Sequence, residues 1–103
     1  MRIMHRIIHH ITPDKWGEVM EWEAKFKEFD EKYGAPPFHW YRAMIGAETT
    51  DTLIGEREWE SLAQIEIVSE KLGADLDRQK LEADSQVIFL DTRYEFYAVL
   101  GPA

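Results

Sequence analysis

Four histidines, His5, His9, His10 and His39, give this chain its widest chemical range. An imidazole can take up a proton, donate a hydrogen bond or ligate a metal. A metal site needs three or four ligands that converge. His5 and His9 have the parity to share one face of a strand, but four strand residues separate them by roughly 13 Å. His39 can join only one of them, and that face of the strand carries no Asp or Glu. No metal is expected. The second chemistry is acid–base or hydrogen-bond work in an apolar pocket, where a His and a Tyr make a natural pair. His9 and Tyr41 fill those roles if strand parity brings them together. The plainer alternative is a set of hydrogen-bonded histidines near strand ends. There is no Ser-His-Asp spacing, phosphate loop or glycine fingerprint, and six scattered glycines make no motif.

Composition narrows the class. The 103 residues fit one domain, 1–103. A chain this long buries roughly 65% of its unfolded surface, a core thin enough for a second subunit to help. The net charge of −8 sets twelve basic residues among twenty acidic ones. A phosphate-binding surface needs clustered Lys and Arg, so nucleic acid is not an expected partner. The absence of cysteine excludes disulfides and thiolate metal sites and fits a cytoplasmic location. "MRIMHRIIHH" has no long apolar run, so neither a signal peptide nor a membrane span is expected.

The elements that must hold these residues follow from periodicity. "RIMHRIIHHI", 2–11, is rich in β-branched residues and reads as a strand. Thr12 suits an N-cap and Pro13 a first helical position. Ile11 and Trp16 then stand at hydrophobic-staple spacing, which turns the Ile11 side of the strand toward the helix. Trp16, Val19, Met20, Trp22, Phe26, Phe29 and Tyr33 form an apolar stripe on a helix running to about Lys32, stopped by Gly34 and "APP". "FHWYRAMIG", 38–46, and "TLIGEREW", 52–59, read as a hairpin around the polar turn "AETTD". Ser61 and Gln64 predict a capping box for a second helix that carries Leu62, Ile65, Val68 and Leu72 inward and breaks at "LGAD". A short helical piece, "DLDRQKLEAD", follows. The last strand lies within 86–100, centred on Thr92 to Val99. The order β-α-β-β-α-β is the ferredoxin-like α+β pattern: an antiparallel sheet with both helices on one face.

Alternation along the strands sorts the charges. Ile3, His5, Ile7, His9 and Ile11 should face the helices, with Leu53, Gly55, Arg57 and Trp59. On the last strand Tyr94, Phe96, Ala98 and Leu100 join them. On the second strand His39, Tyr41, Ala43 and Ile45 are assigned to the helix side. The opposite face then collects Arg6, Arg42 and Arg93 with Glu56, Glu58 and Glu95, among Met4, Ile8, Phe38, Trp40 and Tyr97. Three cations and three anions mixed with large apolar groups suit a sheet that packs on a second sheet, and the simpler alternative is a solvated face with scattered aromatics. A homodimer is expected.

The element order, the junction "EREWESLAQIE" and the terminal "DTRYEFYAVL" resemble the dimeric α/β-barrel superfamily, in which two sheets close face to face. Within it, Trp59-Glu60-Ser61-Leu62-Ala63 is similar to the aromatic–acid–Ser–Leu–Ala junction of NIPSNAP-like proteins. Antibiotic-biosynthesis monooxygenases, EthD-like proteins, haem-degrading monooxygenases and chlorite dismutases are relatives. The resemblance implies a pocket between sheet and helices, bordered by His5, Ile7, His9, Arg57 and Trp59, with His39, Tyr41, Tyr94 and Phe96 joining through the other strands. Haem-degrading relatives carry an Asn on the first strand and an iron-ligating helical His. Here Ile7 stands at the matching strand position, and no His occurs between Glu60 and Leu81, so no haem or other cofactor is expected.

Three readings of function remain. The chain binds a small apolar or aromatic molecule; it is a cofactor-independent oxygenase or isomerase; or it is an interaction module with a filled core. A ligand-sized cavity lined by His and Tyr separates the first two from the third.

Overall fold

The structure, a computed structural model, describes residues 1–101. Its elements are β1 (Ile3–Ile11), α1 (Trp16–Tyr33), β2 (His39–Arg42), β3 (Thr52–Trp59), α2 (Leu62–Ala74), α3 (Leu76–Ser85) and β4 (Phe89–Ala98). The four strands form one sheet in the order β2-β3-β1-β4, with antiparallel neighbours throughout. This is the ferredoxin-like α+β arrangement, with the second crossover divided into two helices.

β1 is the strand from which the rest is organised. Ile3, His5, Ile7, His9 and Ile11 are all buried beneath the helices, as period-two alternation requires. Their partners on β3 include Trp59, Arg57, Gly55 and Leu53. On β4 they meet Ala98, Phe96, Tyr94 and Thr92, until a register shift after His10 sets Ile11 opposite Phe89.

The apolar core falls into two parts. One gathers Ile11, Val19, Trp22, Phe26, Leu53 and Phe89 around one end of β1. The other gathers Ile3, Ala35, Trp59, Val68 and Leu72 around the other end. His5, Ile7 and His9 occupy the stretch of β1 between them.

The caps follow local chemistry. Gly34 takes φ 77°, and the Ala35 N–H returns to the Asp30 carbonyl at 2.9 Å, closing α1 with a Schellman-type bond. Ser61 Oγ accepts from the Gln64 N–H at 3.1 Å, and Gln64 Oε1 accepts in return from the Glu60 N–H. The reciprocal bond thus lands one residue before the cap that a capping box uses. Asp75 breaks α2 from α3, and its carboxylate accepts from the Asp77 and Arg78 N–H groups. Leu62, expected to point inward, is exposed; Val68 and Leu72 are the buried residues of α2.

Two local expectations are corrected. Thr12 and Pro13 do not begin α1. Thr12 to Lys15 make a turn closed by the Lys15 N–H on the Thr12 carbonyl, with Asp14 at φ 65°. Pro followed by a positive-φ residue is a type II turn, and Thr-Pro-Asp serves it as well as a helix start. Trp16 is therefore the first helical residue, not the fourth, and the staple does not form. The face assignment it implied for β1 is nevertheless observed.

The second correction is the parity of β2. Trp40 pairs with Gly55 and Arg42 with Leu53, both on the helix side. His39 pairs with Glu56 and Tyr41 with Ile54, on the opposite face. Phe38 and Trp40 pack against the core, and the Arg42 guanidinium lies 4.3 Å over the Trp16 ring. Gly55 explains the choice: a Cβ there would sit 2.5 Å from Cζ3 of Trp40, so the absent side chain leaves the bed on which the indole rests. Gly55→Ala is expected to destabilise the fold by about 1–3 kcal/mol through overpacking. In a Trp40→Leu background the same substitution should cost much less, a coupling that urea melts in a double-mutant cycle will measure.

On the face away from the helices, Arg6 bridges Glu56 at 2.7 Å and Glu95 at 3.5 Å and sits 5.4 Å over the Tyr97 ring. Glu58 pairs with Arg2 at 2.7 Å, and Arg93 reaches Glu95 at 3.5 Å. Of the six charges expected on this face, only Arg42 is misplaced. Ile8 is buried even here, with Ile54 partly buried and Tyr97 exposed around it.

Candidate functional site

Between the two core clusters lies a cavity of about 450 Å³, roofed by α2 and α3 and floored by β1 and β4. His5, Ile7 and His9 form part of its floor, with Thr92, Tyr94 and Phe96 from β4. Trp22 and Phe26 close one side, and Leu72, Arg78 and Glu82 descend from the roof.

The floor is made of stacked rings. The His5 imidazole lies 4.5 Å from Phe96, nearly parallel at 13°. His9 lies 3.9 Å from Phe89 at 10° and meets the edge of Trp22 at 5.4 Å. Both histidines are buried, 7% and 4% exposed. Burial pushes the His9 pKa from 6.5 down to about 4. Burial, and then the nearby charge of Arg57, push His5 down to about 4. Both rings are neutral at pH 7.

The proton on His5 can be placed. Its Nδ1 accepts from Arg57 Nε at 3.3 Å and from Trp59 Nε1 at 3.4 Å. Neither group can do anything but donate. A neutral His5 therefore carries its proton on Nε2, and that N–H is buried with no partner among the described residues. His9 Nδ1 shares a hydrogen bond with Thr92 Oγ1 at 2.7 Å, and its Nε2 is likewise buried and unpartnered. Native interiors leave few such groups unsatisfied.

Behind the floor is a second layer. The Arg57 guanidinium is clamped between Phe38 at 4.0 Å and Trp59 at 4.5 Å. Its Nη1 lies 3.3 Å from Asp30 Oδ1, and the two side chains are 5% and 6% exposed. The contact is ionic, because its angle leaves Oδ1 without a hydrogen-bond donor. Burial raises the Asp30 pKa, with Arg57 pulling it back; burial lowers that of Arg57, with Asp30 opposing. Asp30 is the residue that the search for chemistry in the strands missed. It falls four residues after Phe26 and eight after Trp22, on the buried stripe of α1. A carboxylate at an apolar position was the available signal.

Of the residues expected at a pocket, the structure brings His5, Ile7, His9, Arg57, Tyr94 and Phe96 to one cavity. Trp59 stands behind it, buried, holding His5. His39 and Tyr41 are on the opposite face of the sheet, so the expected His9–Tyr41 pair does not form. The hydroxyl beside His9 is that of Thr92. The fourth histidine, His10, is held on that outer face between Asp91 and Glu48, the latter at 2.9 Å. Among the described residues no three His, Asp or Glu side chains converge as metal ligands. No described helix is long and apolar enough to cross a membrane.

Solved structures with this architecture are numerous. A NIPSNAP family protein from Agrobacterium tumefaciens superposes with a TM-score of 0.82 at 15% identity, over 96% of this chain and 86% of that one. This is the fold of NIPSNAP proteins. An uncharacterized NIPSNAP domain protein from Burkholderia xenovorans matches at 0.77 and 17% identity, over 100% of this chain and 95% of that one. An antibiotic biosynthesis monooxygenase matches at 0.70 and 11% identity, over 96% and 99%. The fold is thus shared with proteins whose sequences agree with this one at few positions. No protein-family model matches the sequence, and no curated protein does.

Proposed function

We propose that this NIPSNAP-like chain binds a small aromatic molecule bearing a hydrogen-bond acceptor, in the cavity between its sheet and its helices. The observation that carries this is His5. Two obligate donors hold its Nδ1, so the ring offers a buried Nε2–H without an acceptor among the described residues. A ligand oxygen meets that need, and the rings of Phe96 and Trp22 on the cavity wall suit an aromatic body. The same arrangement speaks against proton abstraction by His5, whose basic nitrogen is already occupied. Binding without chemistry is the reading favoured over an oxygenase or isomerase, and a cavity of about 450 Å³ argues against a filled interaction module.

Tryptophan fluorescence is the direct test, since Trp22 borders the cavity. 2-Acetylnaphthalene, an aryl ketone, should quench saturably. His5→Phe should weaken it about fivefold to tenfold, the worth of one neutral hydrogen bond, and leave 2-ethylnaphthalene unchanged. Absence of saturable binding by either compound sinks the reading.

The proposal extends to assembly as a homodimer through the face away from the helices. Ile8, Ile54, Tyr41 and Tyr97 lie there among ion pairs that are already satisfied within the chain, which leaves the apolar groups free to pack on a second sheet. Light scattering at micromolar concentration should return twice the chain mass of 12.1 kDa. A stable monomer ends this part of the proposal.

A further inference from the structure

The cavity contains two arginines in different situations. Arg57 is committed: Asp30 neutralises it from a buried position, His5 takes its Nε, and two aromatic rings clamp it. Arg78 is not. Its only ion-pair partner among the described residues is Glu82, one helical turn along α3, at 2.7 Å. That partner is half-exposed while the Arg78 side chain is only 14% exposed. Arg78 Nε is buried and has no acceptor among the described residues. The cation is thus fixed inside, with its anion on the solvent side and one edge of the guanidinium unfilled.

A guanidinium edge of this kind presents parallel N–H donors that match the two oxygens of a carboxylate. Glu82 takes only Nη1, so the edge that bears Nε is left without an acceptor among the described residues. Around Arg78 the cavity supplies the Phe26 ring, 5.4 Å from its Cζ, and the Tyr94 phenol on the floor opposite. Burial raises the Tyr94 pKa, so at neutral pH the phenol remains a donor. Donors from roof and floor therefore face whatever enters.

We propose that the ligand is an aryl carboxylate, and that its carboxylate binds the free Nε edge of Arg78 beside Glu82 while the aromatic body lies over His5 and Phe96. This rests on the cavity being a ligand site, as argued above, and adds the charge of the ligand. Arg78 is then the residue that selects acids over neutral analogues.

Calorimetry with 2-naphthoate and 2-acetylnaphthalene tests it, because the two differ in charge and hardly in shape. The natural chain should bind naphthoate at least tenfold tighter than the ketone. Arg78→Gln should abolish that preference by weakening naphthoate at least tenfold and the ketone less than twofold. Glu82→Gln should tighten naphthoate, since it removes a neighbouring negative charge from a half-exposed site where folding is not at risk. That variant decides the matter if Arg78→Gln does not fold. Ketone binding with no preference for naphthoate, or no tightening in Glu82→Gln, overturns the inference and leaves the cavity reading intact. Failure of both compounds to bind overturns both.

Discussion

Between pH 6.5 and pH 4 the protein is expected to lose about 3 kcal/mol of stability at each of two side chains, His5 and His9. Burial holds both rings neutral in the fold, with a pKa near 4 against 6.5 for a free imidazole. The unfolded chain therefore takes up protons in this window that the folded chain refuses. The contribution is whole above pH 6.5, shrinks as the pH falls, and is gone below about 4, where both states are protonated. His10 works with the opposite sign. Hydrogen bonds that His10 donates to Glu48 and then to Asp91 raise its pKa, so its contribution is fully present below 6.5 and is lost as the pH rises through its folded value. It sits near the surface and offsets little of the loss. Thermal melts at pH 7.5 and 4.5 should show a steep fall for the natural chain and a much flatter one for His5→Phe with His9→Phe. An equal fall in both would mean that the histidines do not carry the acid sensitivity.

The same two rings show how far the sequence speaks. Their burial was legible, because β1 alternates with period two and its odd-numbered residues from Ile3 to Ile11 include three isoleucines. That they lie above a hollow was not. The hollow exists because Ile3 and Ile11 anchor separate core clusters at the two ends of β1, a fact about packing between distant elements. The helix stop at Gly34 and the cap at Ser61 were legible because each is local chemistry. The parity of β2 was not, because Phe38 and Trp40 alternate with His39 and Tyr41, and either pair can face a core. What decides is Gly55, on the neighbouring strand, whose missing side chain admits Trp40. Assigning Arg42 to the outer charges carried the whole strand to the wrong face. Thr12 and Pro13 illustrate a different limit: one tripeptide satisfies both a helix start and a type II turn, and only the positive φ of Asp14 separates them.

Asp30→Leu should be the most damaging single substitution near the site, at about 3–5 kcal/mol. Its direct effect is to leave Arg57 charged, buried at 5% exposure and without an anion. An arginine does not escape by losing its proton, and Phe38 and Trp59 on its two faces restrict its retreat to water. The damage then passes along the chain of contacts. Arg57 Nε donates to His5 Nδ1, so a displaced guanidinium frees that nitrogen and releases the tautomer on which ligand recognition depends. Pairing Asp30→Leu with Arg57→Leu separates the two consequences. Replacing both charges with apolar groups of similar size removes the stranded cation, and urea melts should recover most of the lost stability. Binding should not recover with it, since His5 then keeps only Trp59 as a donor and its proton can move to Nδ1. A single variant that costs under about 1 kcal/mol would show that the pair does not anchor the site. A double variant that regains both stability and affinity would show that the pair serves the fold alone. The expected split, with stability restored and affinity still weakened, identifies the ion pair as the support that holds a hydrogen-bond donor ready in an apolar wall.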